Sequence, residues 1–410
     1  MIAIVDADLL GRKKHRFPNL ACEKIAGYWR DQGEEVRLIR SFDEIAYCDT
    51  FGTVNLIPCE ERFAKIYISK VFTDTPVPMW VEKMAQFPQS SDSIIQIGGT
   101  GFYFDKALPL PEEIEHHMPD YHLYDGWIAE EKEKAKRLAE ATGKEFTEKR
   151  FMLQFKEYTD YSIGFLTRGC FRKCPFCINQ KYEAVSVHSP LDEFFDESRK
   201  KICLLDDNFL GCGLKWKELL KQLIATGRQF KFKQGLDERL LKDEMCELIF
   251  SSKYDGDITF AFDKIEDYEK IEEKLKLIQK FQPKKLVKFY VLVGFSKPGK
   301  EDIVDAFKRI ELLMKYKCLP YIMRYQSKEE APWKQSEWAG MYVSIARWCN
   351  QPNIFKKMSF RQFCQANQEL HKSKETMCSS MLAMKKFESL ASKEEQRYLD
   401  MCFSKQELSV

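Results

Sequence analysis

Downstream of residue 160 the chain carries six short strand-forming runs, at residues 162–166, 202–205, 230–232, 258–262, 287–293 and 321–323, separated by longer segments. This alternation constrains the fold more than anything else in the sequence. Two of the separating segments, 216–224 and 268–281, hold apolar residues at spacings of three and four, which puts them on one face of a helix. A chain that returns through such a helix lays the next strand parallel to the last, a connection no tight turn can make. Six βα repeats predict a parallel sheet, partly or fully closed into a barrel.

The first third has the same rhythm. Strand-like runs at 2–5, 36–39, 66–71 and 94–97, with a helix carrying Leu20, Ile25 and Trp29, predict an open α/β sheet. Residues 108–119 are rich in proline and acidic side chains, and 130–148 are charged with few apolar positions, the pattern of a connector. The expected organisation is an α/β protein with an open-sheet domain at 1–128, a helical linker at 129–157, a barrel at 158–326 and a helical C-terminal region at 327–410.

Composition excludes several classes of function. With 410 residues, 44% of them hydrophobic, the chain has material for two or three cores rather than a disordered tail. Lys and Arg number 65 against 63 Asp and Glu, so no long-range field gathers nucleic acid or an anionic membrane, and neither is the expected partner. No apolar run approaches the roughly 18 residues of a membrane span. The first residues, Met-Ile-Ala-Ile-Val before Asp6 and Asp8, lack the basic start and cleavage site of a secretory leader. The 14 cysteines then read as reduced thiols or metal ligands of a cytoplasmic protein rather than a disulfide framework.

The sharpest local signal lies just after the first strand of the barrel: Thr167-Arg168-Gly169-Cys170-Phe171-Arg172-Lys173-Cys174-Pro175-Phe176-Cys177. Three thiolates on one short loop can hold three irons of a four-iron cluster. With no fourth cysteine nearby, one iron stays open to a substrate or cofactor, as the open position does in catalytic metal sites. Zinc is the competing metal for such a loop, with His188 or Cys203 as a distant fourth donor. The usual zinc patterns, two Cys-x2-Cys pairs or an added His-x3-His, are missing.

This Cys-x3-Cys-x2-Cys spacing, with the aromatic Phe176 before the third cysteine, resembles the signature of the radical S-adenosylmethionine (SAM) superfamily. The resemblance covers about residues 158–326 and implies a partial (β/α)6 barrel in which Cys170, Cys174 and Cys177 hold a 4Fe-4S cluster. It further implies that the open iron binds the amino and carboxylate groups of SAM. Reductive cleavage of SAM then gives methionine and a 5′-deoxyadenosyl radical that takes hydrogen from a substrate. An electron donor such as flavodoxin or ferredoxin is implied as partner.

Active-site groups of parallel βα folds gather at the carboxyl ends of the strands. The residues there are polar: the cysteine loop, then Asp206-Asp207-Asn208, then Gln234-Gly235 with Asp237 and Arg239, then Asp263, Gly294 and Arg324-Tyr325. By resemblance, Asp206, Asp207 or Asn208 accepts the methionine ammonium, although the family's Gly-Gly-Glu is not present. Gln234, Asp237 or Arg239 would bond the ribose hydroxyls or the carboxylate, beside Gly235, and Gly294 would let the backbone approach the adenine. Asp and Asn also serve as helix caps, the role expected of Asp263.

The order of domains, with Asp6-Ala7-Asp8-Leu9-Leu10-Gly11 after the first strand and Gly98-Gly99-Thr100-Gly101 after a later one, resembles the radical SAM subgroup with an N-terminal cobalamin-binding domain. Cobalamin is therefore a candidate cofactor and methylation a candidate outcome. Asp8 stands where that subgroup's first loop often has the histidine that ligates cobalt, and His15 is nearby. Two further cysteine sets, Cys22, Cys48 and Cys59, and Cys349, Cys364, Cys378 and Cys402, lack compact ligand spacing and read as buried thiols. The alternatives to a radical SAM enzyme are a non-catalytic zinc or iron–sulfur scaffold and a methylthiotransferase with a second cluster. No motif identifies the substrate.

Overall fold

Four aliphatic residues and an aspartate, Ile2–Asp6 (β1), are buried throughout, the pattern of a central strand covered on both faces. In this computed structural model, which describes residues 1–13, 17–48, 54–56, 63–87, 89–90, 92–327, 331–372 and 375–405, β1 pairs in parallel with Val36–Leu38 (β2) and Lys65–Ser69 (β3). Ile95–Gly98 (β4) completes a sheet of order β2-β1-β3-β4. Side chains alternate between two cores, since successive Cβ atoms of a strand point to opposite faces. Ile2 and Ile4 join one core, and Ala3 and Val5 the other.

Helix Leu20–Asp31 (α1) starts where Asn19 accepts from the Ala21 and Cys22 amides, an N-cap. It packs Cys22, Ile25 and Ala26 onto the Ile2 and Ile4 face. The same core takes Trp127 and Ile128 from the first turn of Asp125–Ala141 (α2), and Phe151 and Phe155 from the stretch read as a linker. The charged sequence there marks only the outer face of a packed segment.

The chain divides into two compact units. One is Met1–Thr167 with Ile178–Glu183 and Val187–Leu205; the other is Arg168–Cys177, Ala184–Ser186 and Asp206–Val410. The first also holds the parallel pair Tyr161–Gly164 (β5) and Lys201–Leu204 (β6). The second holds Gln229–Phe232 (β7) and a parallel sheet of Ile258–Ala261 (β8), Val287–Val293 (β9) and Leu319–Arg324 (β10). Among its helices are Lys215–Ala225 (α3), Asp243–Ser251 (α4), Tyr268–Lys280 (α5) and Lys300–Lys315 (α6). The whole is a mixed α/β protein of parallel sheets and many helices, as the sequence led us to expect.

Strand β10 starts two residues before the expected run because Pro320 reads as a breaker. It sits opposite Phe289 on the last strand of the sheet, where a missing N–H is tolerated. The outer side of β10 is met by Asn350, at the end of Ala339–Cys349 (α7), whose side chain bonds the Ile322 amide at 2.7 Å and carbonyl at 3.0 Å. An amide side chain thus continues the ladder by one rung and covers the edge. Buried Arg309 of α6 donates through Nη1 to the carbonyls of Phe262, Asp263 and Leu292 at 2.9–3.0 Å, gathering the carboxyl ends of β8 and β9.

Candidate active site

The cysteine loop is held through its backbone and through charged side chains. The Gly169 amide donates to Asp207 Oδ2 at 2.8 Å, fixing the turn into the loop. Arg172, between the first two cysteines, donates through Nε to Asp237 Oδ2 at 2.7 Å and lies 4.9 Å from the centre of the Phe171 ring. The Cys177 amide bonds the Cys174 carbonyl at 2.9 Å, closing the turn around Pro175. All three thiols are half-buried. Burial pushes the Cys174 thiol up; Arg239 pulls it down, while Cys177, Asp263 and Cys170 add to the rise.

Asp237 is the hub of the site. Besides Arg172 it accepts from Arg239 Nε at 2.9 Å, from the Arg239 amide at 3.3 Å as a helix cap, and from Asn208 Nδ2 at 3.2 Å. Burial raises its carboxyl, but the Arg172 and Arg239 guanidiniums more than offset this and hold it below the usual range. The residue expected to bind ribose or carboxylate is thus occupied in joining the cysteine loop to Asn208 and Arg239. Arg239 is equally engaged, standing 3.5 Å from Glu238 and 3.6 Å from Asp267 as well.

Asn208 differs from its neighbours. Its Nδ2 also points at Cys170 Sγ, 3.5 Å away, while its Oδ1 is buried with no hydrogen-bond partner. Asp207 is taken up by Gly169, and Asp206 is buried. Gln234 is exposed and Gly235 buried. At Gly294, where φ is 71°, an added Cβ would stand 2.6 Å from Trp333 Cβ, so the open side of this glycine faces an indole. Phe176 meets Phe295 edge-on at 5.7 Å, and Phe295 meets Tyr325 at 4.7 Å, an aromatic chain from the cysteine loop to the end of β10.

Glu238, which the sequence did not mark, and Asp263, expected as a helix cap, line a small cavity with Cys174, Phe176 and Arg239. Glu238 is pushed up to about 8 by burial and by Asp237, against the Ala261 amide and Arg239. Asp263 is raised to about 6 by burial, against Arg309 and the Leu292 amide. It bonds that amide at 3.2 Å instead of capping the following helical turn, which starts at Lys264 without a side-chain cap. Three consecutive charges, Asp237-Glu238-Arg239, were the signal available for Glu238.

The N-terminal loops are filled by the chain itself. Asp8 is fully buried, accepting from the Val71 amide at 2.6 Å, the Phe72 amide at 3.3 Å and the Thr75 hydroxyl. Any Cβ at Gly99 would fall 2.2 Å from the Lys70 carbonyl, and one at Gly101 2.5 Å from Lys70 Cγ. Lys70 itself is buried and paired with Glu82 at 3.1 Å. Of the remaining cysteines, Cys22, Cys349, Cys364, Cys378 and Cys402 are buried. Cys59, the Cys48 side chain and His15 lie outside the described residues. Among the described residues no group of three or more His, Cys, Asp and Glu side chains is gathered around one point for a metal ion. No helix among them is long and apolar enough to cross a membrane.

No family model matches the chain, and no curated protein sequence matches it. The solved structures similar to it include two of the radical S-adenosylmethionine methyltransferase TsrM from Kitasatospora setae. The one with tryptophan substrate and a SAM analogue (aza-SAM) bound is 12% identical, with 78% of this chain and 72% of that one covered at a TM-score of 0.48. The one with cobalamin and a [4Fe-4S] cluster bound is also 12% identical, with 78% and 71% covered at a TM-score of 0.47.

Proposed function

We propose that this chain is a radical SAM enzyme whose Cys170, Cys174 and Cys177 hold a 4Fe-4S cluster within a partial (β/α)6 barrel of residues 158–326. The observation that carries the reading is the tethering of the three-cysteine loop to two strand ends through Asp207, Asp237 and Asn208, with one buried acceptor, Asn208 Oδ1, left over. The donor set fits the cluster in number and kind: three half-buried thiols on one loop, with Cys170 and Cys177 both acting on Cys174, give one thiolate to each of three irons. Bound there, the cluster supplies the electron for cleavage of SAM to methionine and a 5′-deoxyadenosyl radical.

The chain's own groups have separable tasks in this proposal. Asp207 and Asp237 fix the loop, Asn208 Oδ1 receives the cofactor's ammonium, and the Phe176, Phe295 and Tyr325 rings keep water from one side of the site. Flavodoxin or ferredoxin supplies the electron, and the substrate offers an unactivated C–H bond. The N-terminal residues do not fit cobalt ligation by the first loop, because the Asp8 carboxylate is buried and fully engaged. A corrinoid held by this domain would need other contacts, and no methyl-transfer step is drawn through it.

Metal analysis of anaerobically reconstituted protein tests the reading. About four irons per chain, lost in Cys174→Ala, together with retention of SAM on gel filtration, is the expected result. One zinc and no SAM retention would replace the proposal with a metal scaffold, and about eight irons would replace it with a methylthiotransferase.

A further inference from the structure

We infer that Asn208 couples the cofactor pocket to the cluster: its amide takes the cofactor's ammonium on one side and strengthens a hydrogen bond to Cys170 Sγ on the other, so that cofactor binding raises the cluster's reduction potential through this side chain. The inference rests on the function proposed above and adds a positioning role for one residue. The orientation of the amide follows from its partner. Asp237 already accepts from Arg172 and Arg239, and an ionised carboxylate can only accept, so the side of Asn208 that meets Oδ2 at 3.2 Å must be its NH2. The same nitrogen lies 3.5 Å from Cys170 Sγ.

That leaves Oδ1, on a residue only 4% exposed, buried and without a donor. Native folds leave few such atoms unmatched, and a ligand, an ion or an ordered water donates to a buried acceptor of this kind. In the function proposed above that donor is the cofactor's ammonium. An ammonium on Oδ1 draws electron density through the conjugated amide and makes Nδ2–H a stronger donor. A stronger donor to a cluster sulfur stabilises the reduced, more negative cluster, and its potential rises. Direct ligation of iron by the cofactor shifts the potential too; the part carried by Asn208 is the part that its substitution removes.

The test is an anaerobic redox titration of the full reconstituted chain, followed by electron paramagnetic resonance, with and without the aza analogue of SAM, whose nitrogen replaces the sulfonium and prevents cleavage. In the wild type the analogue should raise the potential. In Asn208→Leu and Asn208→Ala at least half of that shift should vanish, and analogue binding should weaken about tenfold. A full shift in a variant that keeps its iron overturns the inference and leaves the proposed function standing; a wild type that does not bind the analogue overturns both. A second reading needs no variant: in proton double resonance of the reduced wild-type cluster, the coupling to one exchangeable proton should grow when the analogue binds. No change in that coupling also overturns the inference.

Discussion

The Asp237 carboxylate accepts from Arg172, Asn208 and Arg239, with side-chain distances of 2.7, 3.2 and 2.9 Å. Its removal strands Arg172, 25% exposed, and leaves Arg239, 21% exposed, to the longer contacts with Glu238 and Asp267. Breaking a fully buried pair costs about 3–5 kcal/mol, and the partial exposure of both arginines reduces this to roughly 2–3 kcal/mol for Asp237→Ala. Urea denaturation would measure it, and a chelator should strip iron faster from the variant as the cysteine loop loosens. A second prediction concerns Asp6, raised to about 7 from an ordinary 3.8 chiefly by burial, with the Tyr124 hydroxyl bonded to it at 2.8 Å. The folded chain keeps a proton that the unfolded chain releases, so this contribution to stability is complete below about pH 4 and is lost as pH rises through about 7. Asp6→Asn keeps the acceptor and removes the titration. Its denaturation midpoint should change less between about pH 4.5 and about pH 7.5 than the wild type's.

At the scale of elements, periodicity in the sequence was enough to find β1–β10, because each buried run has a length and a neighbour that a parallel sheet accommodates; it did not find the short antiparallel pair Ala46–Cys48 and Val54–Leu56. β9 shows why: Val287, Phe289, Val291 and Val293 alternate inward along seven residues. The ties between elements were not legible. Arg172 reaches Asp237 across 65 positions of chain, and Arg309 reaches Phe262 across 47. No local pattern encodes such partners, and an arginine of α6 reads as a solvent-facing residue until the strand ends beneath it are seen. Gly294 is a related case. The sequence marks it as a place where a backbone comes close to something, and the fold brings Trp333 there. Gly294→Ala must move that indole and adopt a positive φ, so it should cost about 1–3 kcal/mol, read as a lower thermal midpoint.

For the whole molecule, an α/β chain of parallel sheets followed by helices follows from hydrophobic patterning alone. The extent of the N-terminal core did not, because Trp127, Phe151 and Phe155 are spaced among so many charges that their shared inner face is invisible without the sheet they cover. The candidate site was legible as a set of strand ends. Which members face inward as tethers and which one keeps an unused acceptor depends on distances that only the folded chain sets. In the proposed function the tethered cysteine loop holds a cluster for reductive cleavage of SAM. Chromatographic detection of 5′-deoxyadenosine from the reconstituted chain given SAM and dithionite without oxygen, beside Cys174→Ala, tests this at the reaction itself. Deoxyadenosine from the wild type and none from the variant is the expected result; a wild-type chain with a full cluster that forms none overturns the proposed function.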